Sequence, residues 1–223
     1  MKTFYDSISN RANKLMNIAI ELNSCYQVYN LLRVYQYEEN DFINLSPAFF
    51  QIVNRALIYE LFIESSKLFD KYDKDESIYR LLIDCENGII ELANVDKPFE
   101  SIHFWDFNDR EGKIIYYKGI SDMIIKNKNK IEQERNIINS ITKQRNKIYA
   151  HYDKEIVIDQ EKFLKKFSVN LLDFKTVLLL YSNICNDFMN LLFNKTVYPF
   201  TINAQDLSNI IYYTKQGNNK KFP

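Results

Sequence analysis

Glycine and proline are both scarce in this chain, four of each in 223 residues, too few for the repeated tight turns of a β-sandwich or barrel. The four glycines stand singly, which excludes a phosphate-cradling glycine-rich loop, and there is no serine-centred nucleophile elbow. Cysteine is limited to Cys25, Cys85 and Cys185. They are far apart, odd in number and set in apolar surroundings, so they form no zinc cluster and read as reduced core residues of a cytoplasmic protein. Net charge is also missing: 29 Lys and Arg balance 29 Asp and Glu, so the whole surface is no electrostatic sponge for nucleic acid. Met1-Lys2-Thr3-Phe4 opens no basic-then-apolar leader, and no secretory signal is expected. The most apolar segment, 169–193, is interrupted by Asp173, Lys175 and Asp187, which predicts a buried helix and not a membrane span.

What is abundant is apolar and aromatic: 46% of residues are hydrophobic, with 16 Tyr and 16 Phe. These recur at helical spacing, enough to fill a substantial core. Ile8, Leu15, Ile18, Leu22, Tyr26, Tyr29 and Leu32 predict an amphipathic helix over 7–36. Ser46-Pro47 starts a second, through Phe50, Val53, Leu57, Leu61 and Leu68. After an acidic link at 70–76, a third helix is expected over 77–93. The pattern is lost over 94–118, which predicts an irregular loop with an extended pair at 103–107 and 113–117. His103, Asp106 and Asp109 in that loop make only a weak metal site, and a lid over a neighbouring site is the better reading. A fourth helix is predicted from 121 to about 151, a fifth from 159 or 160 to about 193, and a short sixth over 204–213 with its start marked by Asn203. The expected architecture is all-α: a single-domain bundle of about five long helices plus a short C-terminal helix over 1–213, followed by a polar tail at 214–223.

The fourth helix carries the most specific pattern. Ile124, Ile131 and Ile138 recur every seven residues, flanked by Ile141 and Ile148, and the next step of seven lands on Arg145. Seven residues turn a helix through about 700°, so Arg145 should share the isoleucine stripe, where a cation needs a partner or a job. His151 lies about 240° further round a continuous helix. Either the helix ends between the two, or a second copy completes the site. Charge is local here too: from Arg110 to Lys147 ten Lys and Arg face four acids, an excess of six.

The letters Arg145-Asn146-Lys147, Ala150-His151 and Asp153 at the end of a long helix resemble the signature of the HEPN superfamily of ribonucleases, in its AbiU-like branch of phage-defence and toxin–antitoxin proteins. Leu68-Phe69-Asp70 and Ser77-Ile78-Tyr79-Arg80-Leu81-Leu82 resemble the same branch upstream. The likeness spans roughly 22–193. It implies a HEPN-like fold and a metal-independent endoribonuclease needing no cofactor, with Arg145 and His151 as catalytic positions. RNA carries its own nucleophile, the 2′-hydroxyl; an enzyme adds a base, an acid and a cation for the phosphorane. Imidazole and guanidinium suit those roles near neutral pH. One chain has one such histidine, so the resemblance implies a homodimer with a composite site, the isoleucine stripe being its expected seam.

Asn146 would orient the phosphate or the histidine, Lys143 and Lys147 would hold the RNA backbone, and Tyr149 and Asp153 stand as supporting positions, where Asp153 would fix the imidazole tautomer or serve only as a surface acid at the helix end. A cognate antitoxin or defence-system partner is a further expected partner. One departure stands out: the tyrosine that nucleotidyltransferase partners modify falls two residues after the histidine, where this chain has Asp153, with Tyr152 beside His151. The residues also allow non-catalytic readings. His151 would then interact with the carbonyls of a helix C-terminus, and Arg145 would pair with Asp84, Glu86 or Asp153 in a helical scaffold that grips RNA or protein without cutting, or in a purely structural domain.

Overall fold

The computed structural model describes residues 4–38, 44, 46–70, 77–93, 110–149, 161–193, 195–198 and 206–213. Among them there is no strand. The helices are α1 (Phe4–Glu38), α2 (Pro47–Leu68), α3 (Ile78–Asn87), α4 (Ile89–Ala93), α5 (Arg110–Gln133) and α6 (Arg135–Gln144). A π-helical turn, Arg145–Tyr149, follows α6 directly, then α7 (161–166), α8 (Leu171–Phe193) and α9 (206–213). The all-α architecture expected from composition and spacing is therefore the one observed.

The frame is the antiparallel pair of α1 and α8. Along α1 the buried positions Ile8, Ala12, Leu15, Ala19 and Leu22 alternate steps of four and three, the period of a helix with one sealed face. Ala12 and Ala19 are fully buried, and their small side chains let the neighbouring helix approach closely. Two tyrosines lock the register: Tyr5 Oη donates to the Leu192 carbonyl and Tyr181 Oη to the Leu15 carbonyl, both at 2.6 Å. Further along α1, Asn23 Nδ2 donates to Ser182 Oγ at 3.0 Å. These three side chains each have a partner, so the desolvation of their polar groups is offset.

Pro47 opens α2 as expected from its preset φ and missing N–H. Leu68 and Phe69 bury at its end, and Ile78, Leu81 and Leu82 bury along α3. Ser77 caps α3 by accepting the Arg80 N–H at 3.2 Å. The upstream letters of the resemblance are thus core-building positions. The expected third helix is broken at Gly88, where a Cβ would come within 2.1 Å of the Phe4 ring; α4 restarts beyond it.

Three expectations need correction. Residues 113–117 lie inside α5, not in an extended pair. The isoleucines and tyrosines there invite a strand reading, but the segment is continuous with the helix that runs to Gln133, through Gly119. The part of the expected loop from 110 to 118 is likewise helical; 94–109, including 103–107, lie outside the described residues. The fifth helix is divided at 167–170, where Asn170 Oδ1 accepts the N–H of Leu172 at 2.8 Å and of Asp173 at 3.1 Å, while the Asn170 N–H donates to Asp173 Oδ2 at 2.8 Å. This reciprocal capping box makes a fresh helix start.

The third concerns the isoleucine stripe. Ile124, Ile131 and Ile138 are 2%, 1% and 7% exposed and belong to the main core of a single chain. Keeping one isoleucine from water is worth about 1.5–3 kcal/mol, so no seam between two copies runs along these side chains. The acidic link 71–76, Asn203 and the tail 214–223 lie outside the described residues.

Candidate functional site

A single non-helical residue, Glu134, separates α5 from α6. Before it, α5 packs on α3, α4 and α8; after it, α6 lies mainly against α2. The buried line then runs Ile138, Ile141, Gln144, so Gln144 takes the inward position that a regular heptad gives to Arg145. Arg145 comes one residue later, half-buried, at the edge of the core.

α-Helical hydrogen bonding stops at this point. The Arg145 N–H bonds to the carbonyls of both Ile141 and Thr142, and the next five residues take the wider π form, a local distortion that recurs at functional sites. The turn is seated against α2. It is also tethered from the other side: Gln144 Nε2 donates to the Phe167 carbonyl, and Lys143 Nζ lies 4.3 Å from the centre of the Phe167 ring. The α-helix thus gives way to a π turn at Arg145; the segment from there to His151 passes outside the described residues after Tyr149.

The Arg145 guanidinium is held at the surface by its neighbour, Nη1 donating to Asn146 Oδ1 at 2.7 Å. Its Nε is buried, with no hydrogen-bond partner among the described residues. Two of the three carboxylates suggested as structural partners, Asp84 and Glu86, are engaged elsewhere. Asp84 pairs with Arg11 and, at 3.0 Å, with Arg80, and Glu86 with Lys128 at 2.6 Å. Among the described residues no carboxylate pairs with Arg145. Asn146 and Lys147 are exposed, and Asn146 contacts the arginine it follows, a role that spacing alone did not indicate. His151 and Asp153 lie outside the described residues, as does the side chain of Tyr149.

The basic excess of the preceding helix is largely neutralised. Lys126 and Lys130 stand 3.7 and 3.8 Å from Asp187 on α8, Lys128 holds Glu86 on α3, and Arg135 holds Glu132 at 2.6 Å. Three further cations, Lys143, Arg145 and Lys147, are grouped at the end of the run. Among the described residues no group of three or more His, Cys, Asp or Glu is placed to hold a metal ion; His103, Asp106 and Asp109 lie outside them. No described helix is long and apolar enough to cross a membrane.

Beside the π turn opens a cleft of about 550 Å³ between α1, α2 and the start of α8. Tyr29, Arg33, Phe62, Gln144, Asn170 and Phe174 are among its walls. Sequence reasoning missed it, because it is assembled from four separate stretches. Two signals were legible: Asn170-Leu171-Leu172-Asp173 has the form of a capping box, and Gln144 continues the three-residue step from Ile141.

No curated protein and no solved structure matches the chain. The AbiU2 family of HEPN proteins, associated with abortive infection, matches residues 5–210, nearly the whole of the helical frame and all of the turn that begins at Arg145. The chain belongs to the HEPN AbiU2 family.

Proposed function

We propose that this protein is a metal-independent endoribonuclease of a phage-defence or toxin–antitoxin system. One observation carries the reading: a half-buried arginine at the mouth of a π turn, steadied by a neutral amide and paired with no carboxylate among the described residues. An arginine paired with a carboxylate is already compensated; one steadied by an amide keeps its full charge for an incoming anion.

In the reaction, a base removes the proton from a ribose 2′-hydroxyl and the 2′-oxygen attacks the adjacent phosphorus. An acid protonates the departing 5′-oxygen, leaving a 2′,3′-cyclic phosphate and a free 5′-hydroxyl. Arg145 is assigned to the charge gathering on the phosphorane, held in place by Asn146, and His151 to proton transfer. Lys143 and Lys147 attract the backbone as point charges. The second histidine comes from a second copy of the chain. Since the isoleucine stripe belongs to the core, the two copies meet around the exposed face of the π turn, at Asn146 and Lys147.

The test is incubation of the purified protein with RNA in excess chelator. Fragments ending in cyclic phosphate, lost in both Arg145→Ala and His151→Ala at unchanged fold and solution mass, support the enzyme. A strict monomer that binds RNA and leaves it intact supports the second reading, a non-catalytic HEPN scaffold. That reading is favoured by one observation, the burial of the stripe that was the expected dimer seam.

A further inference from the structure

The cleft beside the π turn is sized for one small ligand of mixed character. Its floor is apolar and rigid: Phe62 and Phe174 meet edge to face, centroids 4.8 Å apart at 84°. Tyr29, half-buried, contributes an aromatic wall from α1. Arg33, one helical turn further along, adds a cation to the same wall. Two carboxamides complete it, and each is fixed by a bond at one end, with its other end unused among the described residues. Gln144 donates Nε2 to the Phe167 carbonyl, so Oε1 stays an acceptor; Asn170 uses Oδ1 to cap α8, so Nδ2 stays a donor. No described residue bonds to either of those two atoms. An acceptor and a donor locked on one wall can read the edge of a nucleobase, while the aromatic wall takes its face.

The rim points the same way. Lys143 and Lys166 stand 4.3 and 5.5 Å from the centre of the Phe167 ring, beside the carbonyl that Gln144 holds. Asp173, bonded to the Asn170 N–H, is the acid at this end of α8. Gln144 also precedes Arg145 directly, so the cleft wall and the proposed phosphate-binding cation are consecutive residues.

We propose that the cleft is a base-binding subsite for an unpaired nucleotide of the RNA strand, next to the phosphate held at Arg145, and that it sets the base preference of the site. This rests on the ribonuclease reading for the strand's path, but not for the cleft's own chemistry. Two full-length variants probe it on an Arg145→Ala background, which keeps the RNA intact. Tyr29→Leu removes the stacking face at similar bulk. Leu172→Glu places a negative charge on an exposed rim position, 66% accessible, in the first turn of α8 where an acid suits the helix. Leu179→Glu, on the same helix outside the cleft, controls for general charge.

Anisotropy with short homopolymeric RNAs is the readout. The expected result is that the background protein prefers one base, and that Tyr29→Leu weakens that RNA about ten-fold and flattens the preference. Leu172→Glu weakens binding more than Leu179→Glu. Unchanged base preference in folded Tyr29→Leu, or equal losses in the two glutamate variants, overturns the subsite. A free mononucleotide that binds with the affinity of the strand and does not compete with it overturns the strand assignment. The two proposals fail separately. RNA cut by the parent with the same base preference in Tyr29→Leu removes the subsite and leaves the nuclease. Base-selective binding that Tyr29→Leu abolishes, in a parent that never cuts, removes the nuclease and leaves the subsite.

Discussion

Two arginines of this chain, Arg11 and Arg145, are both partly withdrawn from water, and their surroundings differ in kind. Arg11 meets Asp84, which Arg80 also holds, with side-chain exposures of 17% and 16% for Arg11 and Asp84. Arg145 meets only an asparagine amide, and part of its guanidinium has no partner among the described residues. The first arrangement ties α1 to α3 and leaves little field outside. The second leaves a cation at the surface with no compensating acid among the described residues. A partly buried charge paired in this way is part of the frame; one held by an amide is free to meet a ligand.

Substitution should separate them. The largest expected effect is on catalysis: Arg145→Ala lowers RNA cleavage about 100- to 1,000-fold, while its melting temperature stays within about 2 °C, because the lost packing is offset by removing a buried nitrogen that lacks a partner. Cleavage assays alongside thermal circular dichroism measure both, and a protein that loses stability in step with activity collapses the distinction. Next comes Arg11→Ala, expected to cost about 2 kcal/mol, since Asp84 keeps only Arg80. That lowers the melting temperature by roughly 4–8 °C for a chain of this size, with cleavage by the folded fraction unchanged. Asn146→Ala leaves the charge and removes its anchor, so cleavage falls about ten-fold while RNA affinity is nearly kept; an unaffected rate would show that the amide does not position the guanidinium.

The smallest effect concerns groups with no functional claim. Burial pushes the thiols of Cys85 and Cys185 up from 9.0 to about 12. A raised folded value means their contribution to stability is complete below pH 9 and is lost as pH rises from about 9 towards 12, where the unfolded chain alone ionises. At pH 8 an alkylating reagent should modify Cys25 in the native protein and spare the other two. Cys25 should react more slowly than a free thiol, since burial, with Glu60 and Glu21 nearby, raises it as well. Mass spectrometry of the native, labelled chain decides this.

The frame was largely legible in the letters. Ile8, Leu15 and Leu22 announce the sealed face of α1, and Ser46-Pro47 announces the start of α2, because each is a local signal whose physics acts within one or two turns. The same reasoning read the isoleucines of α5 and α6 as a seam between copies. Periodicity reports that a face is buried but not by what, and here neighbouring helices of the same chain cover it. The Gly88 break needed knowledge of where the Phe4 ring would lie, a contact across 84 residues. At the site, Arg145 and Asn146 were singled out from adjacency and resemblance. Gln144, Asn170 and Tyr29 were not, since nothing within a short window says that three such stretches share one cleft.

The bond from Gln144 to the Phe167 carbonyl has a mechanical consequence. It references the guanidinium not to a free chain end but to the turn at Phe167 that leads into α8, itself joined to α1 through Tyr181 and Asn23. A site suspended in this way has no loosening of its own. On warming it should hold its shape until the whole bundle gives way, so amide exchange along 145–149 would follow the slow, global opening of the protein and not the quick breathing of a surface turn.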